Sequence, residues 1–198
     1  MIKQLTILCL ILFISGCAQK PQPVPEDFDY RQQLTRLEKL QHWEIKGRIS
    51  ITTTEDAFSA SFKWSRLVDY QRIDITGMLG QTYVTLEITP DKAMLSVDDR
   101  EPVIATDLDQ LMWSQLGFTL PIELLTDWVK AYPTTSTLDS VRINVDGFIQ
   151  SMSFQEWQVD YKRYRDFPGL TGLQLPSRTT VTNNRETIKL AIKTWNPL

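Results

Sequence analysis

At Trp43 the hydrophobic period of the chain changes from 3.6 to 2, and from there most of it alternates apolar and polar residues in short runs. Trp43, Ile45, Gly47, Ile49 and Ile51 alternate with Glu44, Lys46, Arg48 and Ser50. After a Thr/Glu/Asp turn, Phe58, Ala60, Phe62 and Trp64 alternate with Ser59, Ser61 and Lys63. A strand points successive side chains to opposite faces, so these runs build antiparallel neighbours with one apolar face. Further strands are predicted at Tyr70 to Thr76, Thr82 to Ile88 before a Pro90-Asp91 turn, Ala93 to Val97, and near Val103. The alternation resumes at Val141, Ile143 and Val145, turns at Asp146-Gly147, and continues from Phe148 to Phe154 and through Trp157, Val159 and Tyr161. Tyr164 to Leu173 reads as a loop. Two last strands, Leu175 to Thr182 and Thr187 to Trp195, flank an Asn183-Asn184 hairpin turn.

Helical period survives in three places. Asp29 to His42 carries Tyr30, Leu34, Leu37 and Gln41 on one face, an amphipathic helix expected to pack on the body because its polar face is of mixed charge. Asp107 caps a second helix bearing Leu108, Leu111, Met112 and Leu116, and Gly117 closes it. Pro121 opens a third, whose apolar stripe is Ile122, Leu125, Trp128 and Val129. About ten short strands with one helical insertion favour a mainly β fold, a closed or half-closed antiparallel barrel, over an α/β sheet whose strands would alternate with helices.

Ahead of the body the sequence carries addresses. Lys3, the apolar run Leu5 to Ile14, and Ile14-Ser15-Gly16-Cys17 read as a lipoprotein export signal over residues 1–16, with Cys17 as the lipidated first residue of the mature chain. Ala18 occupies the position where aspartate favours inner-membrane retention, which points to the outer membrane. Residues 17–29, with Pro21, Pro23 and Pro25, form a tether that reaches up to about 40 Å. Residues 30–198 are then one domain. Cys9 falls in the discarded segment, so the body holds no disulfide. After position 16, 20 basic and 24 acidic side chains remain, an acidic balance that argues against nucleic acid.

The residues offer no catalytic constellation. His42 is the only histidine and sits beside Trp43 without an obvious partner. There is no His/Cys ligand cluster, Gly-rich phosphate loop or nucleophile elbow, so no metal and no cofactor is expected. Asp98-Asp99-Arg100-Glu101 lacks the spacing of a calcium loop and reads as a solvated turn. Glu123 and Asp127, one helical turn apart, read as surface.

What stands out is apolar supply. A barrel of more than about eight strands is wider than its inward side chains fill, so a cavity is expected. Its candidate lining is Phe58, Phe62 and Trp64, then Ile73, Ile75, Val84 and Leu86, with Leu111, Met112, Leu125 and Trp128 from the helices. Gly77-Met78-Leu79-Gly80 puts two large apolar residues where a hairpin ordinarily carries polar ones. It is either a turn tucked onto the core or an exposed tip that touches lipid or a partner.

Taken together, Trp43 with Gly47-Arg48, Trp64, Gly77-Met78-Leu79-Gly80, Gly117-Phe118-x-Leu120-Pro121, Trp128, Trp157-x-Val159-x-Tyr161, Leu175-Pro176-x-Arg178 and Lys189-Leu190-x-Ile192-x-x-Trp195 resemble the LolB family of outer-membrane lipoprotein receptors. The resemblance runs from about Trp43 to Trp195. It implies an unclosed β-barrel with an α-helical lid over a hydrophobic cavity. It also implies acylated lipoprotein cargo, taken from the periplasmic carrier LolA and inserted into the outer membrane by a monomer held there through its N-terminal lipid. Leu79 matches the protruding leucine that the family uses for insertion; Met78 replaces a usual proline, and Ala131 stands where glycine is frequent. The alternative is a lipid-anchored envelope binding or assembly protein for another apolar ligand.

Overall fold

The computed structural model describes residues 30–77, 80–133 and 140–198. The expected signal segment and the tether therefore lie outside the described residues, as do Met78 and Leu79. Strand β1 (Trp43–Thr52) buries every odd-numbered residue, as its alternation requires, and pairs along its length with β2 (Ala57–Leu67) on one side and β11 (Thr187–Pro197) on the other. The first and last strands thus lie side by side in the middle of the sheet. From this seam the sheet grows outward through β3 (Tyr70–Thr76), β4 (Thr82–Ile88), β5 (Ala93–Val97) and β6 (Val103–Ala105) in one direction. In the other it grows through β10 (Gln174–Thr182), β9 (Trp157–Asp166), β8 (Ile149–Phe154) and β7 (Ser140–Ile143).

All eleven strands are antiparallel, and the order ends at β6 and β7 without closing. Helices α2 (Leu108–Leu116) and α3 (Ile122–Trp128) belong to the connection between these two terminal strands. α1 (Tyr30–Lys39) precedes the sheet. Its Leu37 is buried, Gln33 donates to the Gln174 carbonyl at 2.8 Å, and Arg36 donates to that of Gly172 at 2.5 Å. It stops at Lys39, short of the expected His42, since Trp43 already belongs to the ladder.

The core is built on aromatic rings. Trp43 is fully buried, edge-on to Trp64 at 5.1 Å and 5.3 Å from Trp195, which in turn meets Phe167 edge-on at 6.5 Å. One irregularity explains two residues. β11 carries an extra residue opposite Lys46 and Gly47, since Lys46 pairs with Thr194 and Gly47 with Ile192. The backbones approach so closely there that a Cβ on Gly47 would lie 2.2 Å from the Ala191 carbonyl oxygen, which excludes any larger residue. Arg165, stacked over Phe167 at 4.3 Å, donates to the carbonyls of Ile192 and Lys193 beside the bulge.

Two expectations need correction. Tyr164, Arg165 and Asp166 are strand rather than loop, paired with Pro176, Leu175 and Gln174, because β9 continues opposite the start of β10. Val141 and Ile143 are exposed and Val145 fully so, although their spacing predicted an inward face. β7 is a terminal strand with a neighbour on one side only, so alternation there does not imply a core to meet.

On the outer face of the sheet, Asp74 is nearly covered by Lys63 at 3.3 Å, Arg72 at 3.0 Å and Thr85 at 3.0 Å. Burial alone would raise its carboxyl, but hydrogen bonds from Arg72, Thr85 and Lys63 outweigh it and hold the group below its ordinary value. Arg72 also pairs with Glu87, which accepts from Tyr70.

Candidate apolar binding cavity

Cross-strand register decides where the interior is full and where it is not. The row Ile45, Trp64, Ile73, Leu86 and Leu95 runs across five strands. Next to it runs Gly47, Phe62, Ile75, Val84 and Val97. At the β1–β2 end of the first row large rings fill the space. Towards β3, β4 and β5 only aliphatic side chains remain, and a cavity of about 470 Å³ opens between them and α2. Its wall comes from Ile49 and Ile51 of β1, Phe58 of β2, Ile73 and Ile75 of β3, Val84 and Leu86 of β4, and Leu95 of β5. Met112 and Leu116 of α2 cover it, with Phe118, Leu120 and Ile122 beyond the helix; Thr53, Glu55 and Asp56 of the β1–β2 turn supply a polar edge.

Of the residues nominated from sequence, Phe58, Ile73, Ile75, Val84, Leu86 and Met112 lie in this wall. Phe62, Trp64, Leu111, Leu125 and Trp128 are buried in the core and do not line this cavity. The reason is their partners. The Trp64 indole meets Trp43 and donates to Gln71 at 3.1 Å; the Thr126 hydroxyl lies 3.2 Å from the same Gln71 oxygen and 2.8 Å from its nearer acceptor, the Ile122 carbonyl. Tyr161 donates to the Trp128 carbonyl at 2.7 Å. The Tyr161 bond thereby pins the end of α3 to the sheet through a buried polar contact. Ile49, Ile51, Leu95, Leu116, Phe118, Leu120 and Ile122 line the cavity too, beyond the candidates read from sequence, although strand alternation places the first three on the inward face.

α2 is held differently. Asp107 accepts the Gln110 amide at 2.9 Å and Gly117 ends the helix at φ 76°, as its caps predicted. Leu111 and Met112 seat it, and among the described residues its side chains hydrogen-bond only within the helix. Beyond it, the Thr119 amide donates at 3.4 Å to Glu186, a carboxylate only 7% exposed whose second oxygen has no partner among the described residues.

The chemically reactive groups stand elsewhere. His42 is exposed at the end of the sheet, and its carbonyl accepts the Leu198 amide. Glu123 is exposed, while Asp127 pairs with Lys130 at 3.1 Å. Lys130 is buried and lies over Tyr132; desolvation pushes its ammonium below the ordinary lysine value, and Asp127 opposes the shift. Ala131, next to it, adopts a left-handed φ of 54°. Among the described residues no three His, Cys, Asp or Glu side chains gather to hold a metal. The Gly77–Gly80 hairpin is closed by Gly77 donating to the Gln81 carbonyl at 2.9 Å, and the Tyr83 ring leaves no room for a Cβ at Gly77.

Three comparisons bear on this architecture. The solved structure of a LolA superfamily protein from Nitrosomonas europaea superposes with a TM-score of 0.51 over 86% of this chain and 94% of that one, at 8% identity. A DUF1329 family protein from Desulfovibrio piger gives 0.53 over 85% and 91%, also at 8% identity. These show a shared fold: an open antiparallel sheet with helices at its opening. In sequence, the outer-membrane lipoprotein LolB of Aeromonas hydrophila is 30% identical over 98% of this chain and 96% of its own length. That of Pseudomonas syringae is 27% identical over 99% and 97%. The family model described as outer membrane lipoprotein LolB matches residues 41–195, from the turn before β1 to Trp195 in the aromatic core, so this chain belongs to the LolB family of outer-membrane lipoproteins.

Proposed function

We propose that this LolB protein is the outer-membrane receptor that accepts acylated lipoproteins from the periplasmic carrier LolA and passes them into the membrane, holding their acyl chains in the cavity beneath α2. The supporting observation is the cavity itself. A folded domain ordinarily fills its interior at crystal-like density, and an apolar void of this size forfeits contacts that would stabilise it. At about 470 Å³ the cavity is of the size that takes one small apolar ligand rather than the three chains of a triacylated cargo. A triacylated cargo has about 40 methylenes, each worth about 0.8 kcal/mol on leaving water. Uptake of all three chains therefore requires the cover to lift. α2 suits that task, being held by apolar contacts, whereas α3 is tied down by the Tyr161 hydroxyl at the Trp128 carbonyl.

Transfer then runs down a gradient of affinity from carrier to receptor to bilayer, and the protein acts as a conduit rather than a catalyst. Cys17 serves as the lipid anchor on a proline-rich tether, and Leu79, with Met78, forms the tip that engages the bilayer at delivery. The test is transfer in vitro. The purified protein should bind an apolar fluorescent probe, lose it to acylated lipoprotein but not to the same lipoprotein without acyl chains, and receive that cargo from LolA. A folded protein that binds neither probe nor cargo would overturn the reading.

A further inference from the structure

Arg48 and Arg178 lie 130 positions apart in the chain and belong to two separate motifs, yet the sheet brings them into one row. Arg48 of β1 pairs with Ala191 of β11, and Ala191 pairs with Arg178 of β10. Both arginines are exposed on the outer face, away from the cavity, with only the small Ala191 between them. Two residues along β11, Lys189 lies between Ser50 and Thr180 on the same face, and Lys193 projects from the bulge. The outer face of β1, β11 and β10 thus holds Lys46, Arg48, Lys189, Lys193 and Arg178 against one acid, Glu44, which pairs with Lys46. A chain with a net charge of −3 has concentrated positive charge where it performs no service to the cavity.

Neighbouring acids are already engaged. Asp160 of β9 pairs with Lys162, and Asp74 of β3 is surrounded by Lys63 and Arg72. Among the described residues none lies within ion-pair distance of Arg48, Arg178, Lys189 or Lys193. We propose that this face of the sheet docks the body onto anionic phospholipid headgroups, so that the tethered protein rests on the membrane by the outer side of its central strands. Two features favour a headgroup layer over an acidic protein. Between the cations stand Ser50, Ser61, Thr180 and Ala191, with no aromatic or large aliphatic residue to form the buried centre that a protein interface needs. Guanidinium groups at the tips of two long side chains suit phosphate oxygens, and the lipid anchor of this family already keeps the body within reach of them.

The experiment uses the mature lipidated protein in vesicles that carry a headgroup-attached quencher. Cys9 and Cys17 are the chain's own cysteines, so Ser61→Cys provides a single label on this face and Gln110→Cys one on α2. The Ser61→Cys label should be quenched in vesicles containing phosphatidylglycerol at low salt, released by high salt, and little quenched in pure phosphatidylcholine. The Gln110→Cys label should be quenched less. Replacing Arg48, Arg178 and Lys189 with Gln should lower the ratio of docked to undocked protein about a hundredfold, at about tenfold or less per cation, while Lys, Lys and Arg in their places should retain it. Equal quenching on both lipids, or docking that survives the triple Gln variant, would overturn the proposal. So would a face that binds soluble polyglutamate in preference to anionic vesicles. Each variant is checked by circular dichroism and for apolar-probe binding, so loss of docking with the cavity intact remains separable from failure of the acyl-binding role.

Discussion

Ile75 is where a single charge tests the cavity most sharply. It is half-buried in the wall between Phe62 and Val84, and one face of it meets the open space. In Ile75→Glu the empty cavity can hydrate the carboxylate, so the folding cost is mainly lost apolar burial, about 1–2 kcal/mol for a side chain that was only partly covered. An acyl chain in the cavity removes that hydration. The carboxylate then either blocks the chain or takes up a proton, and protonating an ordinary glutamate at pH 7 costs about 3.7 kcal/mol, or about 500-fold in affinity. At pH 5 the same step costs about 1 kcal/mol. The sign follows directly: ligand raises the carboxyl's affinity for a proton, so binding is kept below the ordinary carboxylate range and lost as pH rises above it. Titrating an apolar fluorophore at several pH values should show weak binding at pH 7 that recovers by more than tenfold at pH 5. Wild type and Ile75→Gln should show no such slope. A pH-independent Ile75→Glu, folded by circular dichroism and binding as wild type does, would mean that ligand does not enter between β3 and α2.

Other perturbations test the same reasoning. Ala131→Gly relieves a left-handed φ worth about 1–2 kcal/mol, but gives up a buried methyl worth about 0.8 and gains unfolded-state freedom worth about 0.5–1; a melt should place it within about 1 kcal/mol of wild type. A shift beyond about 2 kcal/mol either way would refute that balance. Asp74 contributes stability above the ordinary carboxylate range and loses it as pH falls through its lowered value, so Asp74→Asn should flatten the acid limb of a pH-dependent denaturation curve; an unchanged limb would assign acid sensitivity elsewhere. Leu79→Glu should leave transfer from LolA nearly intact and stall delivery to vesicles, with cargo accumulating on the receptor, since an exposed leucine gains about 1.5–3 kcal/mol on burial and a carboxylate is repelled. Equal loss of both steps would make Leu79 a core residue.

Local chemistry made much of the fold legible from sequence. Alternation at Trp43 to Ile51 and Phe58 to Trp64, the Asp107 and Gly117 caps, and the Asn183-Asn184 turn act within a few residues of themselves, and each stands where its chemistry requires. The open sheet with helices at its mouth followed from strand count and from the family resemblance. What alternation could not supply is how tightly the inward side chains fill the space they share. Phe62 and Ile75 are cross-strand partners, yet one is packed core and the other cavity wall, because Gly47 and the tryptophan cluster lie on one side and short aliphatic residues on the other. Register and bulges are equally invisible to local pattern. The strand character of Tyr164 to Asp166, the need for glycine at position 47, and the meeting of Arg48 with Arg178 across Ala191 all depend on hydrogen bonds between segments over a hundred residues apart or on opposite sides of a long loop. Only the assembled sheet brings them together.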